Sequence, residues 1–292
     1  MKGVTIPPAG PVAPGGHATP GGPATPAGSA GPVTPAGSAG PVAPGAPATP
    51  AGPRRQPLLE FYENPEVPAS SGPDRARRMA DLLSGVLRGS GSPAPALVVD
   101  VGCGDGAATS LAARRNPGHR MVGLDWSAGS LRHARRLGLT LVQGGIEPPG
   151  LPLASQAADV VIMSELIEHL IDTDSALEEA LRVLKPGGSL LLSTPNLAAW
   201  YNRCLIALGV QPIFSEVSLR GVYGRPGRQV AGHLRLFTRR ALVQLLAARG
   251  FDRIRVTGAC YHDVPAPLRP LDRALCSWPS AASILLVHAR KR

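Results

Sequence analysis

Short apolar runs alternate with amphipathic stretches between residues 97 and 195, and this pattern predicts the secondary structure. The apolar runs have the length and the aliphatic side chains of buried strands, and they read ALVVDVG, MVGLD, TLVQG, DVVIM and GSLLLSTPN. The stretches between them have helical spacing, as in AATSLAAR, SAGSLRHARRLG, SELIEHL and SALEEALRVLKPGG. Such an alternation favours a parallel sheet with crossover helices.

Further elements are predicted on either side of this region. An amphipathic helix begins near Asp74 and ends at Gly89. After Pro195, a helix is predicted in LAAWYNRCLIALG, a second in TRRALVQLLAARG, and strands in FDRIRVTG and SILLVHARK, which can pair antiparallel. The predicted fold is therefore a doubly wound, Rossmann-like α/β fold, with helices on both faces of a mostly parallel sheet and an antiparallel last strand.

The first part of the chain has a different composition. Residues 1–53 consist almost entirely of Pro, Gly, Ala, Ser, Thr and Val, and TPAGSAGPV occurs twice in tandem from Thr25 to Val42. Because this segment offers little apolar surface for burial, it is predicted to be a disordered tail. Residues 54–292 have the length of one large α/β domain.

Composition and charge argue against a membrane-spanning, a secreted and a disulfide-linked protein. The apolar runs are shorter than the roughly 20 residues that span a bilayer, and the first residues lack the apolar stretch of a signal peptide, so a cytoplasmic protein without a membrane span is expected. The four cysteines have no Cys-x-x-Cys spacing, which indicates reduced thiols. The formal net charge is +10, but only three of the 30 basic residues are lysines, so charge alone does not favour a nucleic-acid partner.

The stretch VVDVGCGDGA indicates a ligand-binding turn after the first strand. Gly102, Gly104 and Ala107 satisfy the G-x-G-x-x-G/A pattern of dinucleotide sites. Asp100 and Asp105 argue against that ligand, because they would repel a pyrophosphate at the N-terminus of the next helix. A ligand with cationic groups, hydroxyls and no phosphate tolerates both carboxylates, and S-adenosylmethionine has this chemistry.

The motif DVGCGDG resembles the first motif of the class I S-adenosylmethionine-dependent methyltransferases. The stretches GLDWS, DVVIMSELIEHL and EALRVLKPGGSLLLSTPN follow in the order of that family, so the resemblance covers Val98 to about Phe251. It implies S-adenosylmethionine as the cofactor and methyl transfer as the reaction. The sequence is also similar to the ubiquinone-biosynthesis O-methyltransferases.

The resemblance implies a set of cofactor contacts. The family uses an acidic residue at the end of the second strand to accept the ribose hydroxyls, which is Asp125 here, with Trp126 beside the adenine; an aspartate there can also be a helix N-cap. The family usually has an acidic residue where this chain has Gly145. Either Glu147 replaces it or the adenine amino group bonds to backbone. The predicted cofactor-binding residues are Asp100, Gly102, Cys103, Gly104, Asp125, Trp126, Ile146, Ser164 and Glu165.

The stretch SELIEHL carries candidate catalytic chemistry. Glu165, Glu168 and His169 have the spacing i, i+3 and i+4, which places them on one face of a helix, and His233 follows later in GHLRLFT. The set resembles the metal-binding pattern of small-RNA 3′-end 2′-O-methyltransferases. These four residues are the predicted ligands of a divalent cation (Mg²⁺, Mn²⁺ or Zn²⁺), and His169 and His233 are the predicted catalytic residues. Metal-free methyltransferases carry a similar stretch, in which the histidine acts as a base or lines the cleft.

Residues 197–236 are predicted to cover the acceptor. They supply aromatic area and arginines, including Arg203, Arg225 and Arg228, which suit an anionic or aromatic small molecule. We therefore expect an O-methyltransferase of a small molecule, such as a secondary metabolite or a quinone precursor. The alternatives are a metal-dependent RNA 3′-end 2′-O-methyltransferase, an N- or C-methyltransferase of a small molecule, and a protein that binds the cofactor without turnover. The oligomeric state stays open.

Overall fold

The computed structural model describes residues 72–91, 94–227, 231–261 and 264–292. The predicted tail, residues 1–53, lies outside the described residues, as does Arg228 of the predicted acceptor cover. Both therefore stay predictions.

The described chain alternates strands and helices as the apolar pattern predicts. The elements are, in chain order, α1 (Pro73–Gly89), β1 (Leu97–Val101), α2 (Ala107–Arg115), β2 (Arg120–Asp125), α3 (Ala128–Arg135), β3 (Thr140–Gln143), β4 (Ala158–Ser164), a 3₁₀ helix (Ile167–His169), α4 (Thr173–Val183), β5 (Leu184–Pro195), α5 (Trp200–Ala207), α6 (Arg239–Ala248), β6 (Phe251–Ala259), a second 3₁₀ helix (Ala266–Leu268), α7 (Arg269–Cys276) and β7 (Ile284–Lys291). None of the helices in these ranges is long and apolar enough to cross a membrane.

The strands described here form one seven-stranded sheet in the order β3-β2-β1-β4-β5-β7-β6. Strands β1 to β5 are parallel, with Asp100 beside Gly123 on β2 and Ile162 on β4. Strand β7 runs antiparallel to both β5 and β6, which confirms the predicted antiparallel last strand. The strand order reverses between β1 and β4, and in such sheets ligands bind at the carboxyl ends of the strands beside this point.

Alternate residues of the central strands point to opposite faces of the sheet. Val98 and Ile162 pack with Leu83 of α1 on one face, whereas Val161 and Met163 belong to a core on the other face. Leu177 of α4 and Leu242 of α6 complete that second core, and both are fully buried. Burial of each such leucine stabilises the fold by about 1.5–3 kcal/mol. The helices therefore cover both faces, as predicted.

The α-helix predicted in SELIEHL is wrong. The structure has only a 3₁₀ helix at Ile167–His169, and α4 begins at Thr173, where Asp172 caps it by accepting from two backbone N–H groups. Glu165 has a φ of 53°, in the left-handed region that non-glycine residues rarely adopt. The chain therefore turns sharply as it leaves β4, and the spacing of an α-helix does not apply to Glu165, Glu168 and His169.

Candidate active site

A glycine turn joins β1 to α2 at the carboxyl edge of the sheet. Gly102, Gly104 and Gly106 have φ values of 75°, 56° and 78°, a backbone region that favours glycine. The backbone N–H groups of Gly102 and Cys103 donate to the Leu124 carbonyl at 2.7 and 3.0 Å, which fixes the turn against β2. The turn is therefore held close to the end of the neighbouring strand, where Asp125 lies.

Asp125 connects this turn to the N-terminus of α3. Its Oδ2 accepts from the backbone N–H of Gly104 at 2.9 Å, and its Oδ1 accepts from that of Ser127 at 2.8 Å. Burial raises the pKa of Asp125. The N-cap of α3 is Ser127, whose side chain accepts from Ser130, so Asp125 does not have that alternative role. Each carboxylate oxygen retains acceptor capacity for a hydroxyl.

Asp100 is buried on β1, 5 % exposed, and accepts from the Thr109 hydroxyl at 2.6 Å. Burial, assisted by the charge of Asp125, raises the pKa of Asp100 to about 6, against the lowering effect of the hydrogen bond from Thr109. Asp100 and Asp125 thus place two carboxylates at the turn, and they disfavour a phosphate there. The thiol of Cys103 is buried in the same turn, and burial raises its pKa.

The end of β2 and the loop after β3 approach each other where the adenine contacts are predicted. A methyl group added at Gly145 would lie 3.9 Å from Cβ of Trp126. The Ile146 side chain is 4 % exposed and belongs to the core. Glu147 accepts from the backbone N–H groups that precede α4, the closer at 2.9 Å. Oε1 of Glu147 is therefore engaged at the N-terminus of α4.

Glu165 forms an ion pair with Arg75 of α1, with Nη1 and Oε2 2.7 Å apart. Its other carboxylate oxygen accepts from the Ser193 hydroxyl at 2.9 Å, and that hydroxyl also lies 3.0 Å from the hydroxyl of Ser164. The sequence analysis missed Arg75. It is one of several arginines on α1, and no sequence pattern distinguishes it from the others.

Glu168, His169 and His233 form a compact group of potential metal ligands. One ligand atom from each lies within 4.8 Å of the others. The two imidazole centroids are also 4.8 Å apart. The group forms because the backbone N–H groups of Leu234 and Arg235 donate to the Glu168 carbonyl at 2.7 and 3.0 Å. Glu165 is not a member of this group, so the structure brings together three of the four predicted ligands.

The buried acid of this group lacks a full set of partners. Glu168 is completely buried, and its Oε2 accepts from the Thr194 hydroxyl at 3.0 Å, but its Oε1 has no hydrogen-bond partner. Burial and the charge of Glu165 raise the pKa of Glu168 well above its usual range. An unpaired buried carboxylate oxygen is costly unless it binds a proton or a cation.

Both imidazoles are oriented by backbone carbonyls. Nδ1 of His169 lies 3.2 Å from the Gly232 carbonyl, and Nδ1 of His233 lies 3.2 Å from the Phe214 carbonyl. A ring whose Nδ1–H donates to a carbonyl carries its lone pair on Nε2, which is the common arrangement of metal-binding histidines. Burial lowers the pKa of each histidine to about 4, which leaves both rings neutral at pH 7. One carboxylate and two neutral imidazoles suit a divalent cation.

Glu216 is a buried anchor of this site that the sequence analysis missed. Its carboxylate accepts from the backbone N–H groups of Ala231, Gly232 and His233 at 2.5, 2.7 and 2.9 Å. It also forms an ion pair with Arg225 at 3.2 Å, and the two side chains are 2 % and 6 % exposed. Glu216 is an isolated acid in an arginine-rich stretch, and that contrast is the only signal in the sequence that marks it.

The predicted acceptor cover, residues 197–236, is partly folded against this group. Phe214 contacts His233 and Tyr261, with ring centroids 5.4 and 4.9 Å apart. Arg203, predicted as a donor to the acceptor, instead donates to the carbonyls of Ala198 and Ser280. The aromatic side chains, more than Arg203, are therefore available to shape an acceptor pocket.

The sheet order, the glycine turn and the acidic residue at the end of β2 define the class I methyltransferase arrangement. Residues 73–256 match the family model described as a methyltransferase domain. The chain therefore belongs to the family of S-adenosylmethionine-dependent methyltransferases.

Known proteins share this family and this fold. Over 173 residues the chain is 31 % identical to a trans-aconitate 2-methyltransferase from Methylobacterium radiotolerans, which covers 57 % of this chain and 63 % of that protein. It is 32 % identical over 127 residues to a ubiquinone biosynthesis O-methyltransferase from Chelativorans sp., covering 42 % of this chain and 47 % of that protein. Each match spans less than two thirds of the relative's length.

The fold is also found in a solved structure. A SAM-dependent methyltransferase from Thermotoga maritima superimposes with a TM-score of 0.50 and 19 % identity, covering 75 % of this chain and 92 % of that one. At this identity the likeness establishes the fold alone.

Proposed function

We propose that this chain transfers a methyl group from S-adenosylmethionine to a hydroxyl group of a small molecule. The observation that carries the proposal is the group of Glu168, His169 and His233, which lies after β4 at the same carboxyl edge as the glycine turn. A hydroxyl acceptor must lose its proton before or during attack, so its transfer benefits from a group that lowers its pKa. A carboxylate acceptor needs no such help.

S-adenosylmethionine supplies an activated methyl group when it is bound. The residues that fit it are those of the turn: the free acceptor capacity of Asp125 suits two ribose hydroxyls, and the turn amides suit a carboxylate. Trp126 and the backbone near Gly145 would flank the adenine. Asp100, Ser164 and Glu165 supply acceptors for the ammonium group, with Arg75 balancing part of that charge. Gly102, Cys103, Gly104 and Ile146 complete the proposed cofactor contacts.

Glu168, His169 and His233 are the proposed ligands of a divalent cation (Mg²⁺, Mn²⁺ or Zn²⁺). The orphaned Oε1 of Glu168 and the orientation of both imidazoles support this assignment. A cation held there would lower the pKa of an acceptor hydroxyl bound to it. Glu165 is no longer proposed as a ligand, because its carboxylate pairs with Arg75 and Ser193.

The proposed class of acceptor rests on the group of Glu168, His169 and His233. The two relatives named above are a methyltransferase of trans-aconitate and one of ubiquinone biosynthesis. The histidine and glutamate group favours the second kind of acceptor, a hydroxyl on a quinone precursor or a similar secondary metabolite. RNA is a less favoured acceptor, because the four-ligand pattern that suggested it does not include Glu165 in this fold.

The proposal is tested by following S-adenosylhomocysteine formation with the full chain. The acceptors are catechols and phenols, with carboxylates, amines and a short RNA as comparisons, each with added Mg²⁺, Mn²⁺ or Zn²⁺ and with chelator. We expect turnover on a hydroxyl acceptor that chelator abolishes and that His233→Ala lowers at least 100-fold. The matched control is His133→Ala, since His133 is an exposed ring on α3.

Two results would contradict different parts of the proposal. Turnover on carboxylates or amines alone would refute the hydroxyl acceptor. Hydroxyl turnover that chelator and added cations leave unchanged would refute the cation but not the methyl transfer.

A further inference from the structure

A second group of potential metal ligands lies at the junction of β6 and α7. Cys260 follows the last residue of β6, and Asp272 and Cys276 lie four residues apart on α7 and so share one face of that helix. One ligand atom from each of these three residues lies within 4.8 Å of the others. Within the described ranges, this group shares no residue with the group of Glu168, His169 and His233.

The distance between the Cys276 sulfur and the Asp272 carboxylate fits tetrahedral coordination of one ion. The thiol of Cys276 lies 3.6 Å from Oδ2 of Asp272. Zinc binds thiolate sulfur at about 2.3 Å and carboxylate oxygen at about 2.0 Å, and at a tetrahedral angle these bonds place the two atoms about 3.5 Å apart. A cation therefore needs almost no movement of either side chain to bind both.

The carboxylate of Asp272 is oriented toward the thiol of Cys276 by its other hydrogen bonds. Its Oδ1 accepts from Trp200 Nε1 at 2.9 Å and from the Ser283 hydroxyl at 2.8 Å, which leaves Oδ2 on the side of Cys276. Partners of this kind fix the direction of a metal-binding carboxylate. Asp272 is 1 % exposed and Cys276 is 2 % exposed, so the group is shielded from water except at the half-buried Cys260.

The donor chemistry selects the cation. Two thiolates prefer soft or borderline ions such as Zn²⁺ over Mg²⁺ or Ca²⁺, which take oxygen ligands. Three protein ligands leave one tetrahedral position for water.

We propose that Cys260, Asp272 and Cys276 form a binding site for Zn²⁺ that fastens α7 to the end of β6. Binding converts the two thiols to thiolates and releases both protons to solvent, with no change of oxidation state. Because Asp272 also holds Trp200 at the start of α5, the bound ion orders the base of the acceptor cover. The site does not depend on the proposed hydroxyl acceptor or on a cation at His169 and His233.

The test is a Co²⁺ titration of the full chain after treatment with chelator and a phosphine reductant. Thiolate ligands give Co²⁺ a sulfur-to-metal charge-transfer absorption that imidazole and carboxylate ligands do not give. We expect this absorption to saturate at one equivalent and to be displaced by Zn²⁺. Cys276→Ser is expected to remove it, and Cys260→Ser to remove it or weaken binding at least 10-fold.

Two controls separate this site from other ligands of the chain. Cys204→Ser removes an exposed thiol on α5, and His233→Ala removes a ligand of the other group; both variants should keep the absorption. Thermal melting gives a second readout, because Zn²⁺ should raise the Tm of the Cys204→Ser variant more than that of Cys260→Ser, which keeps only the group of Glu168, His169 and His233. Absence of the charge-transfer band in the unaltered chain, or its persistence when both Cys260 and Cys276 are serine, would overturn the proposal.

Discussion

The carboxylate of Glu216 accepts a hydrogen bond from the backbone N–H of His233 at 2.9 Å, and it holds the two residues before His233 in the same way. These bonds fix the backbone of a segment whose imidazole must face His169 across the site. The carboxylate is buried, and among the described residues its charged partner is Arg225. The position of His233 thus depends on a charge from elsewhere in the acceptor cover.

Replacing Glu216 with glutamine is expected to destabilise the fold and displace His233. The amide keeps one acceptor oxygen but turns its N–H groups toward the backbone donors, and it removes the negative charge that pairs with Arg225. Loss of one partner of a buried ion pair costs about 3–5 kcal/mol. Urea unfolding measures this loss. Glu178→Gln is the control, because that carboxylate is 60 % exposed and pairs with Arg249 at the surface; equal effects of the two variants would contradict the anchoring role.

Asp125→Asn is expected to weaken binding of S-adenosylhomocysteine at least 10-fold. The amide nitrogen cannot accept a hydroxyl, and one of the N–H donors of Gly104 or Ser127 loses its acceptor. Hydrogen bonds to charged groups contribute about 1.5–3 kcal/mol each, which supports a loss of this size. Isothermal titration calorimetry measures the affinity. Asp81→Asn, at an exposed carboxylate on α1, should bind as the unaltered chain does; unchanged affinity in Asp125→Asn would refute the proposed ribose contact.

Gly102→Ala is expected to destabilise the chain. At a φ of 75° a non-glycine residue costs about 1–2 kcal/mol, and the new Cβ would lie only 3.0 Å from Cδ1 of Leu166. The matched variant is Gly85→Ala in α1, where a Cβ meets nothing within 4 Å. That substitution should stabilise the helix by about 0.5–1 kcal/mol. Unfolding curves for both variants give the comparison, and a loss of the same sign at the two positions would contradict the conformational argument.

The contribution of Asp100 to the stability of the cofactor-free chain is expected to fall as the pH rises from about 4 to above 6. Its folded pKa is raised to about 6 by burial, above the usual value of 3.8, so the folded chain binds a proton more tightly than the unfolded chain does. The corresponding stability is fully present below pH 3.8 and is lost as the pH rises through 6. A pKa shift of this size corresponds to a change of roughly 3 kcal/mol in the free energy of unfolding.

Asp100→Asn should remove this dependence, since the amide oxygen still accepts from Thr109 and carries no charge. The measurement is the free energy of unfolding in urea at several pH values from 4 to 7.5. The difference between the variant and the unaltered chain should change by about the stated amount over that range. Parallel curves would show that Asp100 titrates normally in the folded chain.

Features that depend on neighbours in the chain could be predicted from the sequence. The strands follow from short apolar runs, and the glycine turn follows from DVGCGDG, because the left-handed backbone conformation of three glycines is a local property. Asp125 ends a strand that lies beside β1 in any doubly wound sheet. The glycine turn and the position of Asp125 at the edge of the sheet were therefore predictable from the sequence.

The tertiary structure alone decided which distant side chains meet. His169 and His233 approach each other because the chain after residue 233 bonds to the Glu168 carbonyl. Arg75 pairs with Glu165 because α1 packs on the face of the sheet that carries Val98 and Ile162. The helical spacing assumed for Glu165 failed, since its left-handed φ redirects the chain. Local periodicity specifies which face of an element is apolar, whereas a long-range pair depends on how whole elements pack, and no short stretch of sequence encodes that packing.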